Sequence, residues 1–191
     1  NDRMWEAHDL IRKAWTTHDG PFSFEGRYFH HRMVNIWPRP WQQPHPPIWI
    51  ASTSPQGASQ VGERGHVLAT FLTGYAQTPK TYAGYREGWK KGGHKGPAPV
   101  DRFAYAALVY TGETEAAARA GGEKILWYLT HNKIPSQFRN PPGYNPPAAN
   151  VAALRAQLAG PRGAVGDINI DAQIAKGTML CGTPDQVFQQ I

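Results

Sequence analysis

Cysteine is nearly absent from this 191-residue chain. The single Cys181 excludes an intramolecular disulfide framework and a cysteine-rich zinc site. No run of about 18 apolar residues occurs, which excludes a membrane-spanning helix. The chain opens Asn1-Asp2-Arg3 without the apolar stretch of a signal peptide, so the expected compartment is the cytosol. Acidic side chains are also few, 14 against 20 basic ones, for a formal charge of +6. The basic residues are scattered. Their densest group, Lys90, Lys91, His94 and Lys95, is diluted by glycine and lacks the clustered stripe of a nucleic-acid surface. Such a charge suits a solvated surface or an anionic small molecule.

Aromatics and prolines are plentiful instead: seven Trp, eight Tyr, seven Phe and 17 Pro. With 40% hydrophobic residues the composition is globular, and the length suits one domain over 1–191. The 3.6-residue spacing of Met4, Ala7, His8, Ile11, Ala14 and Trp15 predicts a helix over 3–17. Alternating aromatics over 22–36, with Gly26 at the bend, predict a hairpin. A proline-rich connector, Pro38 to Pro47, leads to Ile48-Trp49-Ile50-Ala51, read as a strand buried on both faces. Further strands are expected at 67–71, 103–110 and 178–181. Helices are expected at 55–64, 78–91, up to Leu129 after Glu115, and from Pro184 onward. Residues 131–173, rich in Pro and Gly with a short helix at 149–159, read as a long insertion. Strand–helix alternation makes the fold α/β with parallel strands. Four such strands make either a small doubly wound sheet or half of a (β/α)8 barrel, which needs about 250 residues. The start against one helix and the stop inside another favour the half barrel, so the chain reads as a fragment.

Most chemical motifs are missing. There is no Gly-x-Gly-x-x-Gly after a strand, no phosphate-binding P-loop and no nucleophile elbow. His30, His31 and His45 carry no carboxylate at ligand spacing, so no metal site is expected. Cys181 reads as a buried structural thiol. Ser52-Thr53-Ser54 stands out, because it lies where a buried strand passes into a helix. In α/β folds that is the carboxyl end of the sheet, where ligands bind. Three hydroxyls and the free N–H groups of a helix start suit a phosphate. Ordinary helix capping, with Pro55 at the first helical position, accounts for the same residues equally well.

Three segments carry a resemblance: Gly26-Arg27-Tyr28-Phe29; Pro38-Arg39-Pro40-Trp41-Gln42; and Pro44-His45-Pro46-Pro47-Ile48-Trp49-Ile50-Ala51. Together with Gly182-Thr183-Pro184-Asp185-Gln186-Val187, they make the chain similar to the bacterial-luciferase-like, flavin-dependent monooxygenase and oxidoreductase family, whose fold is the (β/α)8 TIM barrel. The resemblance covers nearly the whole chain in order. It implies a C-terminal half barrel, roughly strands five to eight, with 131–173 as a lid over the pocket. It further implies reduced FMN supplied by a flavin reductase, O2, a small organic substrate and a homo-oligomer. The alternatives it leaves open are the deazaflavin F420 with hydride transfer, or a non-catalytic half barrel that dimerises. Its flavin-contacting segment maps onto Ala51, Ser52, Thr53 and Ser54, where relatives often show Gly-Ser or Gly-Gly. Gly57 follows in the first helical turn, and Trp37, Trp41, Tyr75 and Tyr144 are candidates to line a dry pocket. No catalytic residue is assigned, because the histidine some members use would lie in the other half.

Overall fold

The computed structural model describes residues 2–131, 147–148, 151, 155 and 169–191. The chain forms two compact units, Asn1–Trp49 and Ile50–Ile191. Most of the expected 131–173 insertion lies outside the described residues.

The first unit holds helix α1 (Asp2–Thr16) and an antiparallel hairpin, β1 (Phe22–Glu25) and β2 (His30–Val34). Trp5 and Ala14 are its buried helical residues, whereas Met4 and Ile11, expected on the buried face, are each 47% exposed. The hairpin register shifts between Phe22 and Phe24. The extra residue falls on β2, where Met33 takes φ 57°, the conformation of a bulge. Glu6 ties helix to hairpin: its carboxylate accepts the backbone N–H groups of Arg27 (3.0 Å), Tyr28 (2.7 Å) and Phe29 (2.8 Å).

The second unit contains the four expected strand positions, the first of which begins at the boundary residue Trp49. They are β3 (Trp49–Ala51), β4 (Val67–Phe71), a third strand divided into β5 (Phe103–Ala106) and β6 (Leu108–Thr111), and β7 (Met179–Gly182). The sheet orders are β3-β4-β5 and β6-β7, with β4–β5 and β6–β7 parallel. The break at Ala107 has a cause in side-chain parity. Phe103 packs edge-on against Tyr85, and the Tyr105 hydroxyl donates to Gly177 O, so odd residues of β5 face the helices. Leu108 of β6 also faces them, packed against the Ala118, Met179 and Cys181 cluster. Alternation has therefore slipped by one residue at Ala107, which lets one strand serve two neighbours.

Helices α2 (Pro55–Glu63), α3 (Gly74–Lys91), α4 (Glu115–His131), α5 (Ile170–Lys176) and α6 (Pro184–Gln190) complete the unit. α3 begins four residues before its expected start at 78. Pro79, which resembles a start signal, sits inside the helix. It removes the bond to the Tyr75 carbonyl, just past the first turn, and the helix continues through it. α2 and α3 meet at backbone distance. Gly84, Gly88 and Gly92 of α3 lie over Pro55, Ser59 and Glu63 of α2. A Cβ on Gly88 would stand 2.6 Å from the Ser59 carbonyl carbon, and one on Gly84 would stand 2.7 Å from Pro55 Cα. Beneath them Tyr85 is fully buried, its hydroxyl donating to His66 O at 2.8 Å.

One burial expectation is corrected, and β4 shows the same one-sidedness. β3 is not buried on both faces: Trp49 is 61% exposed and only Ile50 is half-buried. β4 keeps Leu68 and Thr70 buried against the helices but turns Phe71, 53% exposed, to the other side. Helices cover one face of the sheet, and Trp49, Phe71 and Val109 (52%) stand on the face they leave open. No helix among the described residues is long and apolar enough to cross a membrane.

Candidate functional site

Ala51, Ser52, Thr53 and Ser54 lie at the carboxyl end of β3, as the sequence places them. Ser52 continues the ladder, its N–H donating to Ala69 O at 3.0 Å. Ser54 is the N-cap of α2, and its Oγ accepts the Gly57 N–H at 3.1 Å. The Thr53 carbonyl accepts the Thr81 hydroxyl at 3.1 Å and the Gln77 amide at 3.4 Å, which fixes the bend to α3. The Ser52 hydroxyl donates to Ser54 O at 3.4 Å, long enough to be given up easily to a better acceptor. A Cβ on Gly57 would run into Ser52 Oγ and stand 3.1 Å from Ser54 Oγ. The two hydroxyls therefore converge over a residue whose missing side chain leaves them room. Gly57, which reads as a neutral helix position in sequence, is a spacing residue. Pro55 has no N–H and Ser54 takes that of Gly57, which leaves Gln56 as the first-turn amide not taken by the cap.

The next junction lies on the same end of the sheet and went unnoticed in the sequence. β4 ends at Phe71, and the chain turns through Leu72 at φ 53° and Gly74 at φ 69° into α3. Leu72 remains on the ladder, its N–H donating to Ala106 O at 3.1 Å. A non-glycine residue held in the left-handed region is strained, and such residues cluster at binding sites. Thr73, the N-cap, makes no side-chain bond to the helix start and spends its hydroxyl on Thr78 Oγ1 at 2.6 Å. The amides at the head of this 18-residue helix are thus left uncapped by side chains. The signal for this start was Thr73-Gly74, overshadowed by Pro79. Thr114 and Thr183 cap α4 and α6 at the corresponding ends of β6 and β7, so all four strand-to-helix turns share one rim.

A cavity of about 350 Å³ lies elsewhere, among α4, α5, β7 and α6, and is lined in part by Glu115, Arg119, Asp171, Cys181, Gln186 and Gln190. Arg119 and Asp171 form a bidentate pair with both contacts at 2.7 Å. Hydrogen bonding to Asp171 keeps the guanidinium firmly charged, and the same bonds hold the Asp171 carboxyl below its usual range. Burial pushes the Cys181 thiol up, and it donates to Ala118 O at 3.2 Å, so it is a packed thiol and not an activated one. A second cavity lies in the α2–α3 groove. Ser52, Thr53 and Ser54 line neither cavity; their bend opens on the rim. Among the described residues no group of His, Cys, Asp and Glu is arranged to hold a metal.

Of the four aromatics suggested for a dry pocket, the three described ones are exposed. Trp37 is 73% and Trp41 is 96% exposed. The Tyr75 ring lies over Gly177 and its hydroxyl donates to Gln190 O at 2.9 Å. Tyr144 lies outside the described residues.

Against known proteins, the sequence profile of the luciferase-like monooxygenase family matches residues 1–191. The F420-dependent hydroxymycolic acid dehydrogenase of Mycobacterium tuberculosis is 29% identical over 134 residues, which are 70% of this chain and 34% of that protein. The FMN-bound oxygenating constituent of 3,6-diketocamphane monooxygenase from Pseudomonas putida superposes with a TM-score of 0.68 at 19% identity, over 100% of this chain and 52% of that one. An F420-dependent secondary alcohol dehydrogenase superposes at 0.61 and 20% identity, over 99% of this chain and 51% of that one. The chain thus spans about half the length of these structures, and less of the dehydrogenase relative.

Proposed function

The chain belongs to the luciferase-like monooxygenase family, and from that premise we propose that it supplies the phosphate-gripping part of an oxidoreductase that uses reduced FMN and O2 on a small organic substrate. In this reading β3, β4, the β5–β6 strand and β7 are roughly strands five to eight of a (β/α)8 barrel, with the insertion as its lid. The observation that carries it is the convergence of the Ser52 and Ser54 hydroxyls over Gly57, at the start of α2 and next to the junction whose helix, α3, begins without a side-chain cap. Two adjacent helix starts and three hydroxyl or amide donors on one rim are what a phosphate requires.

When bound, the flavin supplies the redox chemistry. The residues here bind and orient. Ser52 and Ser54 hold the phosphate through their hydroxyls. Thr53 stays out of that contact through its carbonyl and fixes the bend to α3. Ala51, directly before the bend, brings a methyl group where a glycine would allow closer backbone approach. In this reading the reduced flavin comes from a separate reductase.

The test uses two titrations, FMN and riboflavin, each followed by flavin fluorescence quenching. Ser52→Ala with Ser54→Ala is expected to weaken FMN by about 1–3 kcal/mol and to leave riboflavin unchanged. Ser54→Asp is the sharper variant. Aspartate is as good an N-cap as serine, so the helix stays intact, but its charge repels the phosphate. Unchanged FMN affinity in Ser54→Asp removes this bend from the site.

A second reading keeps the bend and exchanges the cofactor. F420 also carries a phosphate, and the M. tuberculosis relative, matched over most of this chain, is F420-dependent. Oxygen uptake with reduced FMN supports the first reading. Bleaching of F420 by a substrate without O2 supports the second.

A further inference from the structure

Past its first residue, the buried residues of α3 are Thr81, Gly84, Tyr85, Gly88 and Trp89, at the spacing of one helix face. Two are aromatic and two are glycine. Thr81 differs from both: a small hydroxyl side chain, fully buried. Packing alone does not call for a hydroxyl here, since valine fills the same volume and alanine makes a better helix. A helical threonine often turns its hydroxyl back to the carbonyl four residues earlier, and Gln77 O is within reach at 3.2 Å. That carbonyl already has its helical partner in the Thr81 N–H. The hydroxyl's other acceptor lies outside the helix. It is Thr53 O, at 3.1 Å, in the bend between β3 and α2.

We propose that Thr81 is the positioning residue of the phosphate bend: it touches no ligand, and it holds the Thr53 carbonyl so that the Ser52 and Ser54 hydroxyls stand in place before a phosphate binds. This rests on the phosphate reading of the bend and adds to it the side chain that sets its geometry. The two ends of the bend are held by ordinary secondary structure. Ser52 N–H donates to Ala69 O at 3.0 Å on the β3–β4 ladder, and Ser54 O accepts the Ala58 N–H at 2.9 Å as α2 begins. The peptide between Thr53 and Ser54 belongs to neither element. Strand and helix can keep their bonds while it turns about its flanking dihedrals, and the two hydroxyls then no longer converge over Gly57. Thr81 stops that turn from α3, helped by the longer bond from the Gln77 amide at 3.4 Å. The hold is rigid because α3 is itself fixed against α2. Gly84 and Gly88, on the same buried face as Thr81, set backbone against the backbone of Pro55 and Ser59. One face of α3 therefore both packs on α2 and anchors the bend from which α2 starts. Ordering one backbone residue in advance spares the ligand that cost, which is worth roughly tenfold in affinity.

Thr81→Val keeps the shape of the side chain and removes the hydroxyl. Its effect is read by FMN and riboflavin titrations, followed by flavin fluorescence, and by hydrogen exchange of the Gly57 amide in the free protein. FMN is expected to bind roughly tenfold more weakly, and riboflavin, which has no phosphate, as in wild type. The Gly57 amide is expected to exchange faster, because its acceptor, Ser54 Oγ, is no longer held in place. Thr81→Ser keeps the hydroxyl and is expected to restore wild-type FMN affinity. Thr81→Ala, which removes the hydroxyl in a better helix former, is expected to match Thr81→Val and replaces it should valine prevent folding. A folded Thr81→Val or Thr81→Ala that binds FMN as wild type does overturns the proposal. So does equal weakening of FMN and riboflavin, the mark of a general loss of packing, or a folded Thr81→Ser that fails to restore FMN binding. Ser54→Asp in the same titrations separates this claim from the reading beneath it. FMN weakened by Ser54→Asp but not by Thr81→Val defeats the positioning role alone, whereas FMN indifferent to both defeats the phosphate reading as well.

Discussion

Replacing Gly88 by alanine tests how α2 and α3 are held together, and the expected sign runs against helix propensity. In an ordinary helix interior, Gly→Ala stabilises by about 1 kcal/mol. At Gly88 the new methyl would stand 2.6 Å from the Ser59 carbonyl carbon and closer still to its oxygen, where ordinary contact begins at 3.4 Å. The obstacle is backbone, so no side chain can swing aside. The helices must part by more than about 0.8 Å at this point, since that is the difference for the carbon alone and the oxygen is nearer. Gly84 and Gly92, one turn away on either side, sit equally close to α2, so the parting cannot be local. Overpacking of this kind costs about 1–3 kcal/mol, and loosening the contacts of the fully buried Val61 and Tyr85 adds to it. Net destabilisation of about 2 kcal/mol is expected, a fall in melting temperature of roughly 4–8 °C for a chain of this size. Ala83→Gly, at an exposed position of the same helix, is the control and is expected to cost about 1 kcal/mol. Urea unfolding followed by circular dichroism reads both. A Gly88→Ala protein whose midpoint equals or exceeds wild type refutes the close-packing argument.

Glu6 is expected to make the hairpin acid-sensitive. Burial raises its pKa, but the N–H donors of Tyr28, Phe29 and Arg27, with His30 nearby, outweigh that and hold the carboxyl below its usual range. A group depressed on folding stabilises above its unfolded pKa, near 4.3, and ceases to as pH falls through the lower folded value. The Tyr28 and Phe29 amide resonances should therefore hold their shifted positions through pH 4.3 and move only in stronger acid. In Glu6→Gln they should lack that step, and a wild-type step at the ordinary glutamate pKa would contradict the clamp. Cys181, buried and raised in pKa, should react with a disulfide reagent only after denaturant is added. Rapid labelling of the native chain would show that the β7 edge opens. Gln190→Ala should speed labelling, because it removes the side chain bonded on either side of that residue.

The sequence made the strand positions legible because each is a short apolar run bounded by glycine, proline or a cap. Ile48 to Ala51 before Ser52, and Val67 to Phe71 after Gly65, leave little else for the chain to do. It revealed less where the signal is relational. Nothing in Phe103 to Tyr110 marks Ala107 as the point where alternation slips; only the demands of β4 on one side and β7 on the other require it. Exposure was misjudged for a similar reason. An apolar strand shows that something covers it, but not whether that cover belongs to the same chain. Trp49 and Phe71 are apolar yet stand on a face that the described helices leave open.

The candidate site shows the same division. Ser52 to Ser54 were readable as a cap after a strand, but capping alone could not separate a helix start from an anion site. What separates them is the second junction: α3 begins beside the first, with strained Leu72 before it and a threonine cap whose hydroxyl is committed to Thr78. A fold that needed only to stop a helix cleanly would have capped α3 as it capped α2, α4 and α6. Thr53 is bound to Gln77 and Thr81 in the first two turns of α3, so the bend and that helix are fixed relative to each other before any ligand arrives. In the proposed reading, this pre-arrangement, more than the count of hydroxyls, is what suits the rim to a phosphate.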